Sequence, residues 1–115
     1  MRLLFVCGRN RRRSPTAEEI FAAVPSLEVC SAGVSPDADS PLSGELIEWA
    51  DVIFVMEPGH RQKLSRKFSA CLKRKRVVCL SIPDIYEYMD PKLVRLLWDR
   101  VPRSIPGLAA ARPSL

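Results

Sequence analysis

The stretch LFVCGRNRRRSPTAEEIF, residues 4–21, decides the fold of this chain. It passes from an apolar run into a loop with four arginines and then into a pattern typical of a helix. The run RLLFVC at 2–7 predicts a strand that is apolar on both faces, and the apolar spacing that follows Pro15 predicts a helix over 15–24. An arginine-rich loop therefore lies between two elements of the core, where we expect a strand to lead directly into its helix.

Strand and helix patterns alternate along the rest of the chain. A run without alternation, DVIFVM at 51–56, indicates a strand buried on both faces. Four strands separated by helices predict an α/β fold, a three-layer sandwich in which helices cover both faces of a four-stranded parallel sheet. Ligands bind at the carboxyl ends of the strands in such sheets, and residues 7–14 fall at the first of these ends. The further predicted strands are 27–33 and 76–83, and the further predicted helices are 41–50, 58–72 and 91–101.

The composition favours one globular domain. With 115 residues, of which 47% are hydrophobic and 27% charged, the chain can bury an ordinary core. We place this single domain at 1–101 and expect 102–115, which contains three prolines, to be a flexible C-terminal tail. A net charge of +5 favours anionic substrates or partners. We expect the protein to be a monomer or a weak dimer.

The cysteines indicate the compartment. Cys7, Cys30, Cys71 and Cys79 are scattered without the paired spacing of metal sites, so we expect reduced thiols in a cytoplasmic protein. We expect neither a secretory signal nor a membrane span, because the first apolar run is short and arginines follow it at once. No cluster of histidines, cysteines or carboxylates has the spacing of metal ligands, and we predict no metal and no cofactor.

The loop that begins at Cys7 has the residues that phosphoryl transfer needs. A thiolate is the nucleophilic form of cysteine, and a helix N-terminus with cationic neighbours favours that form. A tight loop before a helix also points backbone N–H groups inward as a cradle for an anion. Arg13 can return over this cradle and hold two phosphoryl oxygens, and the Ser14 hydroxyl can donate to the thiolate. A Walker-type Gly-Lys-Ser/Thr pattern is missing, so nucleotide hydrolysis is not indicated.

This loop, with its Cys-x5-Arg-Ser-Pro spacing and an internal asparagine, resembles the active-site loop of the low-molecular-weight protein tyrosine phosphatases. Three later blocks also resemble that family: SAGVS at 31–35, WADVIFVM at 49–56 and IPDIYEYMDP at 82–91. The resemblance, to a short bacterial-type member, covers roughly residues 2–101. It implies a flavodoxin-like strand order 2-1-3-4 and metal-independent hydrolysis of a phosphomonoester, of the protein-tyrosine type, through a cysteinyl-phosphate. The implied substrate is a phosphorylated protein or a small phosphomonoester.

The resemblance also implies a role for each residue of the loop. Cys7 is the nucleophile, and Arg13 holds the phosphate. Asn10 adopts a strained conformation that shapes the cradle and is tied to Ser31, while Ser14 supports the thiolate. The residues implied to form the phosphate-binding loop are Gly8, Arg9, Asn10, Arg11, Arg12 and Ser14.

The general acid has two candidates. Asp84 matches the family's aspartate after the last strand, and Tyr86 then matches an aromatic residue that lines the mouth of the site. The family has a proline directly after this aspartate, whereas Ile85 follows here, and the only Asp-Pro pair begins at Asp90. Asp90 is well explained as a helix N-cap with a proline behind it, and Asp84 leaves its strand on the same side as Cys7. We therefore favour Asp84 and keep Asp90 as the alternative.

Departures from the family keep other functions open. Arg12 replaces a second loop cysteine, and Arg9 stands where glycine is frequent. Cys71 and Cys79 allow a second interpretation, a thioredoxin-coupled arsenate reductase, because such enzymes share the loop and add two resolving cysteines downstream. A third interpretation is a pseudophosphatase that binds an anion or a nucleic acid without catalysis.

The segment 61–76 contains eight basic residues and no acidic one. We interpret it as a solvated helix face, with contact to RNA, DNA or another anionic surface as the alternative. His60, directly before it, is interpreted as a surface residue near a helix start.

Overall fold

The fold was determined from a computed structural model, which describes residues 1–114. The strands are β1 (Arg2–Cys7), β2 (Glu28–Gly33), β3 (Val52–Val55) and β4 (Arg76–Cys79). The helices are α1 (Arg13–Phe21), α2 (Gly44–Trp49), α3 (Pro58–Leu72) and α4 (Pro91–Arg100). Two 3-10 turns follow at Val101–Ser104 and Leu108–Ala111. The predicted alternation of strands and helices is therefore confirmed.

The four strands form one parallel sheet in the order β2-β1-β3-β4. The predicted fold class and strand order are confirmed. In the register of the sheet, Val6 lies opposite Ala32 on one side and Val55 on the other, and Val55 lies opposite Cys79. All four carboxyl ends consequently meet at one edge, and the residues that follow β1, β3 and β4 are brought together there.

Two apolar clusters cover the two faces of the sheet. Phe5 of β1 faces the first cluster with α1 and α4, and Val6 faces the second with α2 and α3. The Phe5 ring lies between Phe21 and Phe54, with ring centroids 5.5 and 5.1 Å away. Full burial of a phenylalanine of this kind contributes about 1.5–3 kcal/mol. Since both faces of β1 are buried, as predicted, the strand holds the loop at its end in a fixed position.

Helix starts near the sheet edge are defined by polar caps. The Ser43 hydroxyl accepts a hydrogen bond from the Leu46 N–H at 3.2 Å, and the Asp90 carboxylate accepts one from the Lys92 N–H at 2.9 Å. The cap predicted at Asp90 is confirmed. Helix α1 begins at Arg13, two residues earlier than predicted, so that the end of the arginine-rich loop belongs to the first helical turn.

The segment expected to be a flexible tail differs from that expectation over its first part. Ile105 and Leu108 are 5% and 4% exposed and belong to the first apolar cluster. Gly107 adopts φ +84°, which allows the chain to turn between them. The apolar residues Leu97 and Val101 continue at a spacing of three or four residues into this segment. The core therefore extends beyond residue 101. No helix within residues 1–114 has the length and apolar character required to cross a bilayer.

Candidate active site

The loop between β1 and α1 closes around the Cys7 sulfur. The Asn10 N–H donates to Cys7 Sγ at 3.2 Å, and Ser14 Oγ lies 2.9 Å from the same sulfur. Ser14 Oγ also donates to Asn10 Oδ1 at 2.8 Å. A hydroxyl has one proton, so Ser14 can donate either to the amide of Asn10 or to a thiolate at Cys7. Asn10 has φ +58°, the left-handed conformation that bends the loop inward.

The segment after β2 holds this loop from the side. The N–H groups of Val34 and Ser35 donate to the carbonyls of Cys7 and Gly8 at 3.0 and 2.9 Å. Gly33 makes the approach possible, because a Cβ at that position would lie 2.6 Å from the Gly8 carbonyl oxygen. The carbonyls of Cys7 and Gly8 are thus bonded to the segment after β2, while the Asn10 N–H faces the Cys7 sulfur.

Arg13 lies beside the loop and is almost fully buried. Its Nη1 donates to a Glu57 carboxylate oxygen and to the Ile82 carbonyl, both at 2.7 Å. Its Nε lies 3.7 Å from Asp84 Oδ1. The hydrogen bond from Arg13 lowers the pKa of Glu57, although partial burial acts in the opposite direction. The ends of β1, β3 and β4 thus contribute to one arrangement of charges.

His60 forms the back of this arrangement, and its interpretation as a surface residue was wrong. It is 7% exposed, its Nδ1 accepts the Glu57 N–H at 3.2 Å, and its Nε2 lies 3.4 Å from the Glu57 carboxylate. Burial lowers the pKa of His60, and the nearby positive charge of Arg13 lowers it further. Neither residue was predicted to be part of the site. Their signal was a Glu and a His three residues apart, directly after the strand that pairs with β1.

These groups line one pocket of about 390 Å³ at the carboxyl edge of the sheet. The pocket combines a thiol, arginines and two carboxylates, which suits a bound oxyanion that must be held and protonated. Asn10 and Ser14 support the cysteine from behind. The lining residues are Cys7, Gly8, Arg9, Arg11, Arg12, Arg13, Glu57, His60 and Asp84.

The outer arginines of the loop each have an acidic neighbour. All three pairs are half-exposed or more, so each contributes little to stability. A hydrogen bond from Ser35 lowers the pKa of Asp37, and the Arg9 charge lowers it further. The pairs are Arg9 with Asp37 at 3.9 Å, Arg11 with Asp39 at 3.3 Å and Arg12 with Glu87 at 3.8 Å.

Two predicted contacts are not present in the structure. Asn10 is bonded to Ser14 and not to Ser31, whose hydroxyl donates to the Glu18 carboxylate of α1 instead. Ser31 lies opposite Phe5, two residues before the sheet edge, and therefore faces the helix rather than the loop. Tyr86 is half-buried against the first apolar cluster and is not among the residues that line the pocket.

The two candidate acids lie in different surroundings. Asp84 lines the pocket with its side chain 59% exposed, whereas Asp90 is engaged as the cap of α4. Cys71 and Cys79 are free thiols that pack with the second apolar cluster, on the face of the sheet opposite to the Cys7 side chain. Nothing in this arrangement pairs them with Cys7. Within residues 1–114, no group of three or more His, Cys, Asp or Glu side chains converges as a metal site.

Comparison with curated proteins identifies one relative. The chain is 33% identical over 95 residues to the protein-arginine-phosphatase of Bacillus subtilis strain 168, which amounts to 59% of this chain. The chain spans 63% of the length of that relative. No protein-family model matches the sequence.

Solved structures extend the comparison to the whole fold. A mutant of YwlE from Bacillus subtilis superposes with a TM-score of 0.63 at 27% identity, over 84% of this chain and 93% of that one. A low-molecular-weight protein tyrosine phosphatase from Bacillus subtilis gives 0.66 at 27% identity, over 84% and 92%. The tyrosine phosphatase Wzb from Escherichia coli K30, in complex with phosphate, gives 0.71 at 24% identity over 90% and 94%, a likeness of fold. With the Cys-x5-Arg-Ser-Pro loop closed around Cys7 on this sheet, the chain is similar in sequence and in fold to low-molecular-weight protein tyrosine phosphatases.

Proposed function

We propose that this chain is a metal-independent phosphatase that hydrolyses phosphate esters through a cysteinyl-phosphate on Cys7. One observation carries the proposal. The Cys7 sulfur lies in the pocket with the Asn10 N–H at 3.2 Å and the Ser14 hydroxyl at 2.9 Å, and Arg13 and Asp84 line the same pocket. A nucleophile, an oxyanion cradle and a proton donor are thereby within reach of one phosphoryl group.

The first step transfers the phosphoryl group to sulfur. The Cys7 thiolate, supported by Ser14, attacks phosphorus in line, so that an S–P bond forms as the bond from phosphorus to the leaving oxygen breaks. Asp84 in its acid form gives its proton to that oxygen. Loop N–H groups and Arg13 stabilise the charge on the equatorial oxygens.

The second step releases phosphate. Asp84, now a carboxylate, takes a proton from water as the water oxygen attacks phosphorus. The S–P bond breaks, and Cys7 returns as a thiolate. Asp90 is a weaker candidate for this role because its carboxylate already accepts the Lys92 N–H that caps α4.

We propose a phosphorylated protein as the substrate, with phosphotyrosine as the first choice and small phosphomonoesters as surrogates. Free thiols at all four cysteines fit a reducing compartment such as the cytoplasm. Phosphoarginine is a second candidate substrate, in which a P–N bond breaks and Asp84 gives its proton to the leaving nitrogen instead of an oxygen. Two carboxylates, Glu57 and Asp84, line the pocket and could accept hydrogen bonds from a guanidinium, and the curated relative is a protein-arginine-phosphatase.

The test compares wild type, Cys7→Ser and the matched control Cys30→Ser. Each protein is assayed on phosphotyrosine and phosphoarginine peptides with a chelator present. We expect wild type and Cys30→Ser to release phosphate from at least one peptide, and Cys7→Ser to release none while still binding inorganic phosphate. Turnover by Cys7→Ser would contradict the covalent step. Thioredoxin-dependent reduction of arsenate, without phosphatase activity, would favour the reductase interpretation instead.

A further inference from the structure

Arg13 is buried, so its positive charge requires a counter-charge from the protein itself. The side chain is 4% exposed, and a guanidinium keeps its charge in any surroundings. A buried cation without a counter-charge is strongly destabilising. Glu57 provides that counter-charge at 2.7 Å, and the more exposed Asp84 lies 3.7 Å from Nε.

The contacts of Arg13 divide its guanidinium into an occupied and a free part. Both N–H groups of Nη1 are used, one by Glu57 and one by the Ile82 carbonyl, each at 2.7 Å. The donors without a hydrogen bond are on Nε, which lies 3.7 Å from Asp84 Oδ1, and on Nη2, along one side of the planar group. Two adjacent N–H groups on one side match two oxygens of a phosphoryl group. Glu57 and Ile82 thereby decide which side of Arg13 is available to an oxyanion.

His60 fixes the direction of the Glu57 carboxylate. Its Nδ1 accepts the Glu57 N–H at 3.2 Å, so Nδ1 carries no proton, and in the neutral ring the proton is on Nε2. Nε2 faces the same carboxylate oxygen that accepts from Arg13, at 3.4 Å. Burial and the Arg13 charge favour this neutral form. The charged groups that face His60 are Arg13, Glu57, Lys63 and Asp84.

We propose that Glu57 is a positioning residue for Arg13, held in place by neutral His60, and that it presents the Nε–Nη2 side of Arg13 to the substrate phosphate. The inference rests on the proposed function for its role in turnover, but its effect on anion binding stands independently. A glutamine keeps an acceptor oxygen for Arg13 Nη1 and should preserve the anion site, although it removes the counter-charge and lowers stability. An alanine should remove both the acceptor and the charge.

The experiment measures binding of sulfate, which keeps one charge state through the neutral range, to wild type, Glu57→Gln and Glu57→Ala. Glu19→Ala, which removes an exposed acid of α1 outside the pocket lining, is the matched control. Loss of a hydrogen bond to a charged group corresponds to roughly 10- to 100-fold. We expect Glu57→Ala to lose sulfate affinity by this factor. Glu57→Gln should keep at least a third of the wild-type affinity, and Glu19→Ala should bind sulfate as wild type does.

Two further readouts separate position from stability. The ¹⁵N–¹H signal of Arg13 Nε should respond to sulfate in wild type and Glu57→Gln, and should be broadened or lost in Glu57→Ala. On a substrate that wild type hydrolyses, Glu57→Ala should have a lower kcat/KM than Glu57→Gln. The factor between the two variants should equal the factor between their sulfate affinities. If Glu57→Ala does not fold, His60→Ala takes its place, with an expected loss of about 3- to 10-fold because only the support is removed.

The results decide between the alternatives. Sulfate affinity within twofold of wild type in a folded Glu57→Ala, or equal losses in the alanine and glutamine variants, would overturn the positioning role. If wild type hydrolyses no substrate but Glu57→Ala still weakens sulfate binding, the proposed function fails and the positioning role stands.

Discussion

Two regions of this molecule that are rich in basic residues look alike in sequence and differ in their surroundings. In the loop before α1 and the first residue of that helix, each of the four arginines from Arg9 to Arg13 has a carboxylate within 4 Å. In the segment 61–76, none of the eight basic residues forms an ion pair with any residue within 1–114. A cluster of basic residues in a sequence therefore does not by itself indicate a binding site. Counter-charges and burial make the first region an organised site and leave the second a solvated face.

The basic segment uses part of its charge on the backbone. Arg61 donates to the Val77 carbonyl at 2.8 Å, and Lys75 donates to the Glu48 and Ala50 carbonyls at 2.7 Å. These side chains tie α3 and its exit to neighbouring elements. Arg76 donates to the Ser104 carbonyl at 2.7 Å, and the remaining side chains, such as those of Lys63 and Lys67, are exposed. The comparison predicts that substitutions in the loop change turnover strongly and that substitutions in the helix change turnover and stability only slightly.

The largest contrast should come from Arg13→Ala against Arg66→Ala. Under the proposed mechanism, removal of Arg13 takes away the phosphate clamp and leaves Glu57 without its partner, so phosphatase turnover should fall on the order of 10³-fold or more. Removal of exposed Arg66 should leave turnover unchanged. Steady-state kinetics on an aryl phosphate measures both, and comparable losses in the two variants would remove the distinction between the regions.

The acid loop gives the next largest effect. Asp84→Asn should reduce turnover of phosphotyrosine on the order of 10²–10⁴-fold, and less with a good leaving group, because protonation then matters less. Asp90→Asn should hardly change rate or stability, since asparagine also caps helices well. Rates on two substrates with different leaving groups provide the measurement. A large, leaving-group-dependent loss in Asp90→Asn alone would move the acid to the Asp-Pro pair.

The pH dependence of stability should distinguish Glu57, which is paired with Arg13, from an exposed glutamate such as Glu19. The Arg13 hydrogen bond lowers the pKa of Glu57 in the folded state, so the unfolded chain binds more protons between the two pKa values. The stabilisation is thus fully present above about pH 4.3, the usual value for glutamate, and is lost as pH falls through the folded-state value. Glu57→Gln should flatten this part of the stability curve, measured by urea unfolding from pH 3 to 7. Glu19→Gln is the control, and an equal flattening there would refute the assignment.

The smallest effects should come from neutralising exposed charges. Lys63→Gln with Lys67→Gln should change the free energy of unfolding by less than about 0.5 kcal/mol. Arg9→Gln with Arg11→Gln should be equally mild in stability, but should reduce the preference for acidic over basic phosphopeptides at low salt, because these two residues line the pocket. Peptide rates at two ionic strengths test this, and no preference in wild type would contradict it.

The fold was accessible from the sequence because each strand is a short apolar run and each helix has a clear spacing or cap. The loop residues that contact the Cys7 sulfur were accessible for the same reason, since they are local to one turn. Glu57 and His60 were missed because their partner, Arg13, is 44 residues away from Glu57 along the chain. Because the first and third strands were predicted to be adjacent, Glu57 and His60 were expected at the same sheet edge as Arg13. Whether their side chains reach Arg13 depends on side-chain direction, which the strand order does not give. The same limit explains the errors at Ser31 and Tyr86.

The close approach of Gly33 to Gly8 has a consequence for how this protein can be altered. The backbone of the anion cradle is moulded by an external segment, through N–H groups of Val34, Ser35 and Asp39 that bond the carbonyls of the loop. Scaffold and recognition are thus encoded in different stretches of chain. The side chains of Arg9 and Arg11 contact Asp37 and Asp39 of that segment only through exposed ion pairs and can be exchanged as a library. A Cβ added at Gly33, in contrast, would lie 2.6 Å from the Gly8 carbonyl oxygen and would force the loop backbone to shift. A redesign of selectivity should therefore begin with the arginines and leave Gly33 untouched.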